Sequence, residues 1–140
     1  MGFFTKKIVM ITGAGRAVLS DGKCGSIGYG IATAFAKEGA NLVITGRNVQ
    51  KLTDAKEELE RLYGISVLPV QADVHAGADN AAVVKQVVEQ AIAAFGAIHV
   101  LINNAQASAS GVTLADHTTE QFCIPVCMQP STICRLAILI

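Results

Sequence analysis

The stretch from Lys7 to Arg47 constrains the fold more than any other part of the chain. An apolar run, Ile8 to Thr12, breaks on Gly13 and Gly15. A polar, glycine-bearing loop follows, then a helix start at Ser26, Ile27 and Gly28, then a second apolar run from Leu42 to Thr45 that ends at Arg47. Runs this short, bounded by glycines and separated by a helical pattern, read as a β-α-β unit with parallel strands. A glycine turn between the first strand and the helix is the arrangement a pyrophosphate needs. Backbone N–H groups point at the anion, and no Cβ blocks its approach. Gly13, Gly15, Ser26, Ile27 and Gly28 are therefore the first candidates for a nucleotide site.

The rest of the chain repeats the same alternation. After Ser26, Ile27, Ile31 and Phe35 recur in helical time, and Gly39 supplies a left-handed stop. Asn48 is placed to cap a second helix with the apolar stripe Leu52, Ala55, Leu59 and Leu62; Lys56 and Glu60 sit four apart on its wet side, and Gly64 ends it. Ile65 to Gln71 reads as a third strand, with Pro69 suited to a sheet edge. Asp79 opens a third helix with Val84, Val87, Val88, Ala91, Ile92 and Phe95 inward, closed by Gly96. Val100 to Asn103 is a fourth strand. Short connections and right-handed crossovers then predict an α/β, Rossmann-like doubly wound parallel sheet of about four strands, order 3-2-1-4, with helices on both faces.

Residues 1–122 form one dinucleotide-binding domain in this reading. Thr118 and Gln121 resemble a capping box for a fourth helix, yet Pro125 and Pro130 interrupt it, and residues 123–140 lose the charge and periodicity of the rest. That tail reads either as a buried strand plus loop or as a segment of foreign or shifted reading frame.

Composition removes several function classes. Among 140 residues, eleven Lys+Arg balance eleven Asp+Glu for a net charge of zero, which argues against a nucleic-acid partner. No apolar run approaches the ~18 residues of a membrane span, and no secretory leader is apparent, so a cytoplasmic location is expected. Cys24, Cys123, Cys127 and Cys134 form no Cys-x-x-Cys pair, and with His117 they lack the spacing of a closed metal site; no metal is expected. His75 and His99 read as surface or edge residues, Glu57, Glu58 and Glu60 as a solvated helix face, and Ser108 and Ser110 as loop fillers or, following the fourth strand, as lining for the nicotinamide end of a cofactor.

The end of the second strand selects the cofactor. A carboxylate there hydrogen-bonds the ribose hydroxyls of NAD, whereas an arginine suits the 2′-phosphate of NADP. Here the residues are Gly46, Arg47 and Asn48, with no acid. The planar, permanently charged Arg47 fits a forked grip on phosphate, and Arg16 in the glycine loop is placed to add a second positive charge. NADP(H) is expected in preference to NAD(H).

Thr12-Gly13, Ile27-Gly28, Ile31-Ala32, Asp73-Val74 and Asn103-Asn104-Ala105 are spaced as in the short-chain dehydrogenase/reductase family, which the chain resembles from Lys7 to about Phe122. The resemblance implies that Asp73 and Val74 meet the adenine, that Asn103 and Ala105 lie along the cofactor, and that the Asn-Asn-Ala stretch steadies the sheet. The segments SIGYGIA, NLVITGRN, DAKEELERLYGI and LINNAQASASG resemble the bacterial NADP-dependent 12α-hydroxysteroid dehydrogenases, which implies alcohol–ketone interconversion on a bile-acid steroid.

The sequence departs from that family in four ways. Ser26 stands at the middle glycine, Gln106 replaces a glycine, and the loop Ala17 to Gly25 exceeds a tight turn. The catalytic Ser and Tyr-x-x-x-Lys are missing: only Tyr29 and Tyr63 occur, and Thr33 and Val67 stand where a lysine would follow. Without the tyrosine no group moves the alcohol proton, so no catalytic residue is assigned and the chain alone is expected to be inactive. The alternative is a non-catalytic NADP-binding module, or one that self-associates into a homo-oligomer through an open sheet edge.

Overall fold

In a computed structural model, residues 2–23, 25–73 and 80–105 are described. The expectations on Val74, His75, Asp79, Gln106, Ser108, Ser110, His117, the capping box, the cysteines and residues 123–140 lie outside them. The elements run β1 (Ile8–Thr12), α1 (Ile27–Lys37), β2 (Asn41–Gly46), α2 (Val49–Tyr63), β3 (Val67–Gln71), α3 (Asn80–Phe95) and β4 (Val100–Ile102). The strands form one sheet in the order β3-β2-β1-β4, the expected order, and every pairing is parallel. Pro69 lies on β3, an edge strand of this sheet, opposite Ile44.

Strands covered on both faces must be apolar throughout, and β1 is buried at all five positions. Its side chains alternate between two cores. Val9 and Ile11, with Leu42, Ile44 and Val67, meet Tyr29, Ala32 and Ala36 of α1 and Leu52, Ala55 and Leu59 of α2. Ile8 and Met10, with Val43 and Val70, meet Val84, Val87, Val88 and Ala91 of α3 on the other side. Each fully buried aliphatic side chain contributes about 1.5–3 kcal/mol relative to exposure.

The caps follow the local chemistry. The Ser26 hydroxyl accepts from Tyr29 N–H, and Asn48 Oδ1 accepts from Lys51 N–H at 3.0 Å. Gly39, Gly64 and Gly96 all take positive φ just past their helices. His99 ties the sheet's entry side: its Nδ1 accepts from Ile8 N–H at 3.0 Å, while its own N–H donates to Ile8 O at 2.9 Å.

Several faces differ from the sequence pattern. In α1 the buried residues are Gly28, Tyr29, Ala32 and Ala36, while Ile27 is 73% exposed. The helix turns its small residues inward because its backbone must come close to β1, as the site below requires. In α2 the stripe ends at Leu59. Leu62 is half exposed, and Tyr63 and Ile65 pack on the core instead. In α3, Ile92 is exposed and Phe95 only partly covered. Nor are the glutamates of α2 a merely solvated face. Glu60 Oε1 accepts from Lys56 Nζ at 2.7 Å and from Val67 N–H at 2.9 Å, and Lys56 Nζ also donates to Val67 O. This clamp holds the start of β3, which begins at Val67 rather than Ile65.

The two leucines at the end of α2 separate packing from pattern. Leu59→Ala should cost about 2–4 kcal/mol in urea unfolding, since it empties a fully buried site. Leu62→Ala should cost under about 1 kcal/mol. Equal losses would show that the apolar stripe, not the observed burial, governs stability.

Candidate functional site: a glycine cradle at the carboxyl ends of β1 and β4

The site lies where β1 gives way to α1. Gly13 turns the chain with φ +70°, and Gly13 N–H and Ala14 N–H both donate to Thr45 O, at 2.8 and 3.1 Å, pinning the turn to the end of β2. Two glycines here are required by space as well as by backbone angle. A Cβ on Gly28 would sit 2.1 Å from Gly13 O and 2.5 Å from Asn104 Nδ2. A Cβ on Gly13 would come within 3.0 Å of Ala105 Cα, in a conformation L-residues avoid. The first turn of α1, with Ile27 and Gly28, therefore lies against the turn after β1. Tyr29 N–H is capped by Ser26, and the Ile27 and Gly28 N–H groups ahead of it have no acceptor within the helix and suit an anion.

Asn104 ties this corner to the sheet. Its side-chain amide donates to Thr12 O and to Gly13 O, both at 3.1 Å. Thr12 Oγ1 answers by accepting from Asn104 N–H and Ala105 N–H, both at 3.0 Å. The Asn-Asn-Ala stretch thus steadies the sheet through Asn104. The neighbouring Asn103 and Ala105 are partly buried beside it. The family resemblance implied Asn103 and Ala105 for the cofactor; Thr12, the hub of the hydrogen bonds, carried no signal beyond its place before Gly13.

The long loop does not prise the cradle open. Gly25 N–H donates to Ala17 O at 2.7 Å, Leu19 N–H to Lys23 O at 2.8 Å, and Gly22 N–H to Leu19 O at 2.9 Å. The insertion is pinched at its base into a small hairpin, so Ala17 and Gly25 lie side by side just before α1.

Gly15 and Arg16 run along the start of α2. A Cβ on Gly15 would come within 3.1 Å of Lys51 Cβ, and Arg16 N–H donates to Lys51 O at 2.8 Å. Arg47 and Asn48 are exposed there, Arg47 O accepts from Gln71 Nε2, and Asp73 is exposed beyond β3. The structure therefore gathers Gly13, Gly15, Gly28, Asn104 and Ala105 into one corner, and docks the Arg16 backbone on the turn that follows Arg47 and Asn48. Val74 lies outside the described residues.

The Arg16 side chain goes elsewhere. Its Nε lies 2.5 Å from Glu58 Oε2 and its Nη2 lies 3.3 Å from Glu58 Oε1, a forked pair, and the Tyr29 hydroxyl also donates to Glu58 Oε2. The hydrogen bond from Arg16 holds the Glu58 carboxyl below the usual carboxylate range, with that from Tyr29 adding to it. Burial, then the contact with Glu58, pushes the Tyr29 phenol well above the usual tyrosine value. Sequence pattern gave no sign of this triad, because its members come from a loop and two helices.

Glycine-floored strand-to-helix turns at the carboxyl edge of a doubly wound parallel sheet define a dinucleotide-binding domain. The sequence pattern of the short chain dehydrogenases matches residues 7–129, and the chain belongs to that family. It is 59% identical over 122 residues to a 12alpha-hydroxysteroid dehydrogenase of Clostridium sp., covering 87% of this chain and 44% of the relative. Among solved structures it is similar to L-sorbose reductase from Gluconobacter frateurii in complex with NADPH and L-sorbose: 32% identity, TM-score 0.74, 98% of this chain and 46% of that one. An alcohol dehydrogenase from Thermococcus sibiricus, complexed with 5-hydroxy-NADP, aligns at 26% identity and TM-score 0.71, over 93% of this chain and 49% of that one. The chain spans less than half the length of these relatives. The family binds nicotinamide cofactors. Among the described residues, no helix is long and apolar enough to cross a membrane.

Two substitutions test the geometry. Gly28→Ala should lower stability by about 2 kcal/mol or more, because its Cβ meets backbone that cannot move aside; thermal unfolding reads this directly, and an unchanged midpoint would contradict the close approach. The second concerns pH. Because the folded state raises the Tyr29 pKa, its contribution is complete below the ordinary tyrosine value near 10 and is lost as pH rises beyond it. Because Glu58 is depressed, its contribution is complete above the ordinary glutamate value and is lost as pH falls through the lowered one. Tyr29→Phe should therefore flatten the loss of melting temperature between about pH 10 and 12 and lessen, without removing, the loss on the acid side, since Arg16 remains on Glu58.

Proposed function

We propose that these residues form the cofactor-binding part of an NADP(H)-dependent oxidoreductase that interconverts an alcohol and a ketone on a steroid of the bile-acid type. The observation that carries the cofactor choice is Arg47. It stands exposed at the end of β2, beside the glycine cradle, in a Gly46-Arg47-Asn48 sequence with no carboxylate to engage ribose hydroxyls. The fit of a dinucleotide rests on the cradle itself, where Gly13 and Gly28 let the first turn of α1 pack directly against the turn after β1, so that the helix starts at the carboxyl edge of the sheet, the place that suits a pyrophosphate. The solved relatives named with NADPH and 5-hydroxy-NADP support the same cofactor, and the 59% identity to a 12alpha-hydroxysteroid dehydrogenase supports the substrate class.

In this reading Gly13, Gly15, Ser26, Ile27 and Gly28 hold the pyrophosphate, Arg47 and Asn48 the 2′-phosphorylated ribose, Asp73 and Val74 the adenine, and Asn103 and Ala105 the inner ribose and nicotinamide side. Bound nicotinamide supplies or accepts the hydride. The alcohol proton needs a separate acid or base, and Tyr29, the tyrosine nearest the cradle, is committed to Glu58. The 140 residues therefore bind cofactor without turning over substrate.

NADP should raise the melting temperature of the chain in a concentration-dependent way, with NAD weaker. Arg47→Ala should weaken NADP by about tenfold or more, the scale of one charge-assisted hydrogen bond, and leave NAD unchanged. Equal effects on the two cofactors would remove Arg47 from the phosphate. Incubation with cholate and NADP should give no NADPH absorbance, and turnover by the sequence-verified chain would overturn the assignment of a binding role alone.

A further inference from the structure

The Arg16 backbone and side chain point to different turns of α2. Arg16 N–H bonds Lys51 O in the first turn, next to Arg47 and Asn48. The guanidinium is instead forked onto Glu58, about two turns or 10 Å farther along the helix axis. Glu58 is braced from a third element by the Tyr29 hydroxyl, so the carboxylate is held in place rather than chosen from many rotamers. The fork occupies the Nε–Nη2 edge of the guanidinium, one of its edges suited to bidentate recognition of a phosphate. Arg16 is neutralised by a carboxylate of its own chain and drawn away from the end of β2.

We propose that Glu58 is a specificity-determining residue. It acts as the resident counter-ion of Arg16, and a cofactor 2′-phosphate must compete with its carboxylate for that cation. This rests on the reading of the site as an NADP(H) cradle. Two consequences follow from the chemistry. NAD carries no 2′-phosphate, so it makes no demand on Arg16 and is indifferent to Glu58. NADP gains from Arg16 only what remains after the Glu58 fork is broken, so the discrimination between the two cofactors is set below what two arginines would give.

The test is a comparison of NADP and NAD dissociation constants, by calorimetry or thermal shift, for the full chain and its variants, with circular dichroism to verify folding. Glu58→Gln keeps the shape of the side chain and a hydrogen-bonding oxygen but removes the charge. It should raise the preference for NADP over NAD by about three- to tenfold with the NAD constant unchanged, the scale of one freed charge-assisted contact. Adding Arg16→Gln to Glu58→Gln should erase the gain, because the two residues act as a pair. Tyr29→Phe loosens the brace and leaves the fork, so it should shift the preference in the same direction by less; it decides the matter should Glu58→Gln fail to fold.

An unchanged or reduced preference in a folded Glu58→Gln or Tyr29→Phe variant, with the parent chain binding NADP, overturns the role of Glu58 and leaves the cofactor assignment standing. A parent chain that binds neither dinucleotide overturns the cofactor assignment and this inference together.

Discussion

The corner between β1 and α1 exists because two backbones approach more closely than any side chain permits, and Asn104 holds them there. Gly28 brings the first turn of α1 against Gly13 O, and the Asn104 amide donates to that oxygen and to Thr12 O. Thr12 Oγ1 returns the contact by accepting the N–H groups of Asn104 and Ala105. Six polar groups from β1, its following turn and the residues after β4 are thereby satisfied at a place where unpaired polar groups would otherwise be partly buried. The inward turn of Gly28, Ala32 and Ala36 follows from it, with Tyr29 packed beside them in the core and Ile27 left exposed.

The same corner sets the electrostatics. Helix starts and glycine turns supply fixed partial positive charge at the carboxyl edge of the sheet. The side-chain cations differ in how they relate to it. Arg47 is exposed at the end of β2, whereas Arg16 is matched with Glu58 and drawn along α2. A count of arginines in the loop and strand end thus overstates the charge offered to a ligand. The carboxylate that reduces it is supplied by a helix whose charged face looks, in one dimension, like solvated surface.

Much of the architecture was readable in the sequence. Glycines at 13, 28, 39, 64 and 96 mark turns, helix ends and a close approach; the apolar runs mark strands buried on both sides; and the right-handed crossover rule leaves the order 3-2-1-4 as the natural solution. The pairing of Asn48 with Lys51 N–H and of Ser26 with Tyr29 N–H was equally local. Less readable were the faces. Leu62 and Ile92 continue an apolar stripe yet remain exposed, because a stripe records which residues are apolar and not where the sheet ends. The length of the loop from Ala17 to Gly25 suggested a disturbed cradle, but hydrogen bonds between its own arms close it off at the base.

The sequence by itself determined the element order, the parallel sheet, the glycine turn and the family, because these depend on short-range propensity, on hydrophobic period and on residues a few positions apart. Tertiary structure alone decided that the Asn104 amide, together with the backbone N–H groups of Asn104 and Ala105, ties the residues after β4 to Thr12 and Gly13, and that Arg16, Tyr29 and Glu58 form one cluster. Both depend on hydrogen bonds between atoms separated by tens of residues, whose geometry is set only once the sheet has formed and the helices have packed against it.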